Sequence, residues 1–300
     1  MDLSVFLQFT LPGLSTGCIY ALVALGFVLC ANVSGVVNFA QGEYVMLGGV
    51  AAAWLIERGV PTVAAICVAV ALGAALGAVQ EWATLAPVRR QPPFIQITTT
   101  VGFAVVLRGL VLIVAGKDAL SVPGFQAFGF SGDDVFTVGG AVLPVQSLWI
   151  WGATVVLLAG TFGFLRYTSV GRAVRACSIN LQAARLMGVN AGRLRLLVLA
   201  ATGGTGALAG VVVAPVVLAS WDAGIAYSIK GFIGAILGGF RSPGAAAAGG
   251  ILVGLIEALG AGYVSSGWQD FIVDGVLLAF LLLRGGVFLR GRTAAQAGGT

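Results

Sequence analysis

Apolar positions along this chain run in long continuous blocks instead of alternating with polar ones. With soft boundaries the blocks cover about 4–31, 41–56, 60–82, 95–116, 146–165, 196–219, 228–240, 244–262 and 269–287. A helix that crosses a bilayer needs ~20 apolar residues, whereas strict alternation would mark half-buried strands. The blocks predict an all-α, polytopic membrane helical bundle of about eight or nine transmembrane helices. The block at 228–240 is short for a crossing and reads as a tilted short helix or as half of a broken one. Residues 1–300 are expected to form a single transmembrane domain, with no room for a soluble domain of ordinary size. The start, Met1-Asp2, lacks a basic n-region, so the first block is expected to be retained instead of cleaved as a signal peptide.

Composition agrees with the pattern. Hydrophobic residues make up 59% of the chain and charged residues 9%, against roughly 25% charged in soluble domains. Such a polypeptide cannot cover itself with a water-facing surface. Histidine is absent, which removes the commonest general base and metal ligand. Cys18, Cys30, Cys67 and Cys177 show no metal-ligand spacing, and the first three are expected as small buried residues. Neither a metal nor a cofactor is expected on this chain.

The net charge of +5 does not point to nucleic acid, because the basic residues cluster between apolar blocks. Six arginines and no acidic residue lie from Arg166 to Arg195. By the positive-inside rule this loop, about 166–195, should face the cytoplasm, as should Arg89-Arg90 and the tail 288–300 with Arg284, Arg290 and Arg292 close by. The loop at about 117–145 carries Asp118, Asp133 and Asp134 and should lie outside. If 228–240 crosses, Arg241 is inside and the C-terminus ends in the cytoplasm. Counting back places the N-terminus outside.

Within the basic loop, Thr168 or Ser169 can cap a helix starting near Gly171, and a second turn at about Leu181–Met187 ends at Gly188. Leu181, Ala184 and Met187 would form one apolar stripe. Such a helix either lies on lipid headgroups or docks into a groove on a cytoplasmic partner. Between the first two blocks stand Asn38, Gln41 and Glu43, with Glu43 assigned to structure or gating before direct solute contact. Thr98, Thr99 and Thr100 offer uncharged hydroxyls to a pathway, or bond to their own helix carbonyls. Arg108 and Glu81 are expected to pair between helices or to snorkel. Gly13/Gly17, Gly73/Gly77, Gly206/Gly210, Gly234/Gly238 and Gly250/Gly254 fit close helix packing. Gly73-x3-Gly77-x3-Glu81 echoes Gly250-x3-Gly254-x2-Glu257 on spans of opposite direction. With glycine this frequent, the echo reads as chance.

Gly171-Arg172-Ala-x-Arg175-Ala followed by Asn180-x-x-Ala183-Ala184-Arg185-Leu-Met-Gly188-Val-Asn190 resembles the cytoplasmic loop of branched-chain amino acid ABC transporter permeases. Further pieces keep the family's order along nearly the whole chain. They are Gly17-x-x-Tyr20-Ala-Leu, Val37-Asn38-Phe39-Ala40-Gln41-Gly42-Glu43, Glu81 with Pro87-Val-Arg89, and Thr100-x-Gly102. Lys230-Gly-Phe232 with Leu237-Gly-Gly239, Gly249-Gly250-x3-Gly254-x2-Glu257 and Asp274-Gly complete the set. The resemblance, closest to the H-type inner-membrane subunit, implies a permease in the bacterial inner membrane that pairs with a second, related permease. It further implies two cytoplasmic ATPase subunits, which would hold ATP and Mg, and an extracytoplasmic binding protein. Gly171, Arg172, Arg175, Asn180, Ala183, Ala184, Arg185 and Gly188 would belong to the ATPase-coupling helix. Leu181 and Gln182 stand where the family usually has Pro and Glu, which puts the details of docking in question.

No Gly-x4-Gly-Lys-Ser/Thr run occurs, so an ATP motor must be another subunit. Two other classes compete with the importer. One is a secondary transporter coupled to ions through Glu43, Glu81 or Glu257, and a permease for urea or short amides is a variant of the leading reading. An intramembrane enzyme drawing on Ser34, Asn38 and Glu43 lacks histidine and any nucleophile motif.

Overall fold

The computed structural model describes residues 3–125, 131, 134–240 and 242–297, with side chains to residue 283. Asp133, Arg241 and the side chains of Arg284, Arg290 and Arg292 lie outside that description. The helices are α1 (Leu3–Ser34), α2 (Gln41–Glu57), α3 (Thr62–Val88), α4 (Pro93–Ala115), α5 (Gln146–Tyr167), α6 (Ser169–Ile179), α7 (Leu181–Leu186), α8 (Ala191–Val213), α9 (Ala223–Leu237), α10 (Pro243–Tyr263) and α11 (Gln269–Ala297). A hairpin of β1 (Val135–Val138) and β2 (Ala141–Pro144) precedes α5. Its turn is Gly139-Gly140, both at positive φ, as a two-residue hairpin turn requires.

The two ends of the bundle are set by these loops. At the hairpin end, Gln8 of α1 accepts the Val142 amide at 2.8 Å, and Leu120 pairs with Ala219 just after α8. At the other end, Val33 of α1 packs with Val174 and Cys177 of α6 and Leu194 of α8. So α1 and α8 run antiparallel. Pro12 does not break α1, which is continuous over 32 residues.

Among the described residues, seven helices are long and apolar enough to cross a membrane. Of the helices left over, the apolar α2 with 17 residues and α9 with 15 are ~25 and ~22 Å long at 1.5 Å per residue, short of the ~30 Å hydrocarbon core. Each follows non-helical backbone: 35–40 is buried or half-buried apart from Gly35, and 214–222 is buried at Ala214 and Ala219 but exposed at 216–218 and Asp222. Irregular backbone at membrane depth is tolerated only where protein surrounds it. The 228–240 segment proves to be α9. It enters from the Ala219 end and is followed by Gly244, which stands against Phe162 near the far end of α5. It therefore crosses from one side towards the other instead of dipping back.

The order long, short, long, long occurs twice, in α1–α4 and in α8–α11, and the packing repeats with it. α1 lies on α10 as α8 lies on α3, and α9 lies against α1 as α2 lies against α8. Gly73 and Gly77 meet Gly203 and Leu199 of α8, while Gly250 and Gly254 meet Ala21 and Gly17 of α1. The glycine echo is therefore not chance. Its two copies are the contact stripes of an inverted repeat. Lipid supplies no hydrophobic force between helices, so backbone-to-backbone contact through glycine is what holds these pairs. Cys18 and Cys30 are buried as expected, but Cys67, expected to be buried with them, is exposed on the outer face of α3, and Cys177, for which burial was not expected, is buried.

Candidate functional site

In the basic loop the local chemistry builds two short helices. Thr168 caps α6 by accepting the Gly171 amide at 2.9 Å. Asn180 caps α7 by accepting from Gln182 and Ala183, both at 3.0 Å. That side-chain cap starts α7 without the proline expected at Leu181. Gly188, at φ 87°, ends it. Ala184 is buried and Leu181 half-buried against α6, but Met187 is 86% exposed, so the expected apolar stripe does not hold. Ile179 at 87% and Leu186 at 89% exposure lie outside with Met187, close in sequence to Arg175 and Arg185. Burial pushes the Cys177 thiol up from its ordinary pKa, with Arg185 pulling the other way, so it stays protonated.

Inside the bundle the first turns of α2 and α9 meet. Ala40 cannot cap α2, and Ser228 does so from the other repeat. Its hydroxyl donates to the Phe39 carbonyl and accepts the Gly42 amide, both at 3.0 Å. Gly42 and Gly224 make this approach possible, since a Cβ at the first would strike Ser228 and at the second the Glu43 carboxylate. Glu43 is 1% exposed and ion-paired with Arg108 of α4. Glu43 Oε2 and Arg108 Nε have no hydrogen-bond partner among the described residues. Thr100 accepts the Phe39 amide at 3.1 Å. Asn38, Glu43 and Thr100 thus stand around the start of α2, whereas Gln41 faces α8, donating to the Thr202 carbonyl at 3.1 Å. Thr98 and Thr99 do not join them, because they donate to the carbonyls of Phe94 and Ile95 in their own helix.

Two groups here are not legible as functional in the sequence. Gln80 exchanges two amide bonds with Asn38, at 2.9 and 2.7 Å, and takes a third from Tyr44. The π-helical turn Gln80–Leu85 begins on it, and such turns often accompany function. The only signal was a polar amide at the end of an apolar block. Arg195 stands among the loop arginines in the sequence, yet it is 6% exposed and faces Glu81 at 3.0 Å. So Arg108 and Glu81 do not pair with each other: each finds a partner across a different helix contact. Lys230 pairs with Glu257 and, at 3.0 Å, with Asp270, and Tyr20 donates to Glu257 at 2.8 Å. The α2–α4 pair and the α9–α11 pair occupy corresponding places in the two repeats.

Comparison with known proteins agrees with this architecture. The chain is 29% identical over 298 residues to the high-affinity branched-chain amino acid transport system permease protein LivH of Escherichia coli K12, covering 93% of both chains. It is 28% identical over 294 residues to BraD, the permease protein of the same description from Pseudomonas aeruginosa, covering 93% of this chain and 94% of that one. The ribose import permease protein RbsC of E. coli K12 is 30% identical over 276 residues, 88% of this chain and 81% of the other. No solved structure matches the chain at a significant level. Residues 9–282 match the family described as the permease component of branched-chain amino acid transport systems, and this chain belongs to it.

Proposed function

We propose that this chain is the membrane-spanning subunit of an ATP-driven importer, which carries branched-chain, aliphatic amino acids delivered by an external binding protein. The observation that carries the reading is the basic loop. Its two capped helices leave Ile179, Leu186 and Met187 exposed beside arginines, and an apolar ridge rimmed by charge is what a groove on a partner takes up. Two cytoplasmic ATPases would receive it, with ATP and Mg held on them. Gly171, Arg172, Arg175, Asn180, Ala183, Ala184, Arg185 and Gly188 would shape the docking element. Gly171 supports this, since a Cβ there would strike the end of α5. A second, related permease completes the membrane unit. The basic loop and the tail would face the cytoplasm of a bacterial inner membrane, in line with the positive-inside rule.

The test is uptake of labelled leucine into vesicles holding this chain with its partner subunits, ATP on the ATPase side and binding protein on the other. ATP-dependent accumulation that needs every partner is the expected result. Accumulation by this chain alone, abolished when the ion gradient collapses, would make it a secondary transporter. Uptake of urea, a short amide or a sugar in place of leucine would move the substrate class, which the RbsC likeness makes worth including.

Asn38, Glu43 and Thr100 would form the gate where α2 meets α9, with Gln41 tying α2 to α8 behind it and Thr98 and Thr99 serving the helix itself. In the same assay Glu43→Gln should leave assembly intact, because the amide keeps the shape, and should reduce uptake at least about tenfold, the equivalent of ~1.4 kcal/mol. Uptake equal to the parent's would rule the role out.

A further inference from the structure

The side wall formed by α4, α9 and α11 differs from the rest of the bundle surface. Large apolar residues are exposed on the outer helices, as with Val63, Val68 and Leu72 on α3 or Val155 and Val156 on α5, and also with Leu278 and Leu282 on α11. On this wall two cavities open beside ion pairs. The first, of about 270 Å³, is lined by Glu43, Arg108, Val101, Val105, Ile225 and Ile229 among others. The second, of about 330 Å³, is lined by Asp222, Lys230, Asp270 and Asp274. Ile225 and Ile229 line both, so the cavities are neighbours along one face of α9. Ionisable groups at membrane depth face protein or water, because lipid contact costs several kcal/mol. This wall is therefore not a lipid face.

The chemistry of the wall is that of a zwitterion with an aliphatic side chain. Glu43 Oε2 and Arg108 Nε, both buried, are unpartnered among the described residues. Glu43 Oε2 faces Gly224, so what the cavity wall offers is the Glu43–Arg108 pair as a whole, a carboxylate for an ammonium group and a guanidinium for a carboxylate. Val101, Val105, Ile225 and Ile229, between 43% and 56% exposed, supply an apolar surface on the same cavity. In the second cavity Lys230 stands among Asp222, Asp270 and Asp274, an excess of negative charge that favours an ammonium group. Each cavity holds about ten water volumes, room for a solute the size of leucine.

We infer that the exposed face of α9 is the solute path, and that an amino acid zwitterion passes from the Lys230–Asp270 cavity to the Glu43–Arg108 cavity with its side chain on Ile225 and Ile229. The inference rests on the importer reading and adds to it the residues that touch solute. The second permease closes the path from the other side.

The test uses the complete transporter, with its partner permease, ATPases and binding protein, in a background where the exposed native Cys67 is serine. Val105→Cys and Ile229→Cys are placed on the path, and Ile113→Cys, 80% exposed on α4 outside either cavity, is the lipid-facing control. A small, positively charged, water-soluble methanethiosulfonate should modify the first two and not the third. Leucine-loaded binding protein with ATP should slow modification of Val105→Cys and Ile229→Cys at least about threefold, as occupancy of most sites demands. If both are as inert as the control, the wall is sealed or faces lipid and the inference fails. If both react but turnover gives no protection, water reaches the wall without solute contact, and the inference fails again. Accessibility is read without any uptake signal, so absence of ATP-driven uptake would overturn the importer reading separately.

Discussion

Arg195→Ala should be among the most damaging single substitutions in this chain, lowering stability by ~3–5 kcal/mol and the unfolding midpoint by about 10 °C. Arg195 and Glu81 are 7% and 4% exposed at their side chains and stand 3.0 Å apart. Arg195 Nε and Glu81 Oε2 nonetheless make no well-angled hydrogen bond within the described residues. The pair is therefore held by Coulomb attraction in a poorly screened place, and removing the cation leaves a buried carboxylate without a paired cation, with only Arg89 interacting beyond ion-pair distance. The companion double variant, Arg195→Met with Glu81→Leu, removes both charges and keeps most of the volume, so it should recover much of the loss. Thermal unfolding in detergent-lipid micelles measures both. A double variant no more stable than Arg195→Ala would show that shape at this contact matters and charge does not.

Gly210→Val should have an effect of similar size through packing alone. Gly210 lies on the backbone of α2, and a Cβ built there collides with the Val45 carbonyl oxygen. No flexible side chain can yield, so α2 and α8 must separate. Overpacking usually costs 1–3 kcal/mol and occasionally more, and a backbone collision places this case at about 3 kcal/mol or above. The loss also parts α2 from the repeat that carries it, so the cap that Ser228 gives Gly42 is pulled open. Size-exclusion profiles should show a large loss of monodisperse protein. Gly152→Ala is the matched control: nothing lies within 4 Å of a Cβ at that position on α5, and alanine favours the helix by up to ~1 kcal/mol. Equal damage from the two changes would mean that α2–α8 contact is not what Gly210 serves.

The site was legible in uneven parts. The basic loop could be read almost residue by residue, since Thr168, Asn180 and Gly188 act on amides and dihedrals within a few positions of themselves. The exposure of Met187 could not, because it depends on which side of α7 meets α6. Glu43 was marked by its cost at membrane depth, yet its partner was open, with Arg108 and Glu81 expected to meet. They sit in different helix contacts, α2–α4 and α3–α8, and charge alone does not say which helices touch. Ser228 carries no local signal of a role, and Gln80 only that of a polar amide at the end of an apolar block. Each acts on a residue more than thirty positions away, where the approach depends on Gly42 and on a π-helical turn.

Hydrophobic block length decided, without any structure, that this is a polytopic helical membrane protein, because each block must satisfy its own backbone hydrogen bonds in a solvent that offers none. Charge placement likewise separated the two ends of the bundle. The order of motifs along the chain pointed to the permease family. Only the tertiary structure decided that α2 and α9 meet at their first turns, and that the glycine echo is a repeat. It also decided which buried acid faces which base. The physical reason is range: block length, caps and turns are settled by neighbours in sequence, whereas helix pairing in lipid is settled by backbone contact across stripes of small residues. Such stripes are too common in this sequence to say in advance which of them will meet.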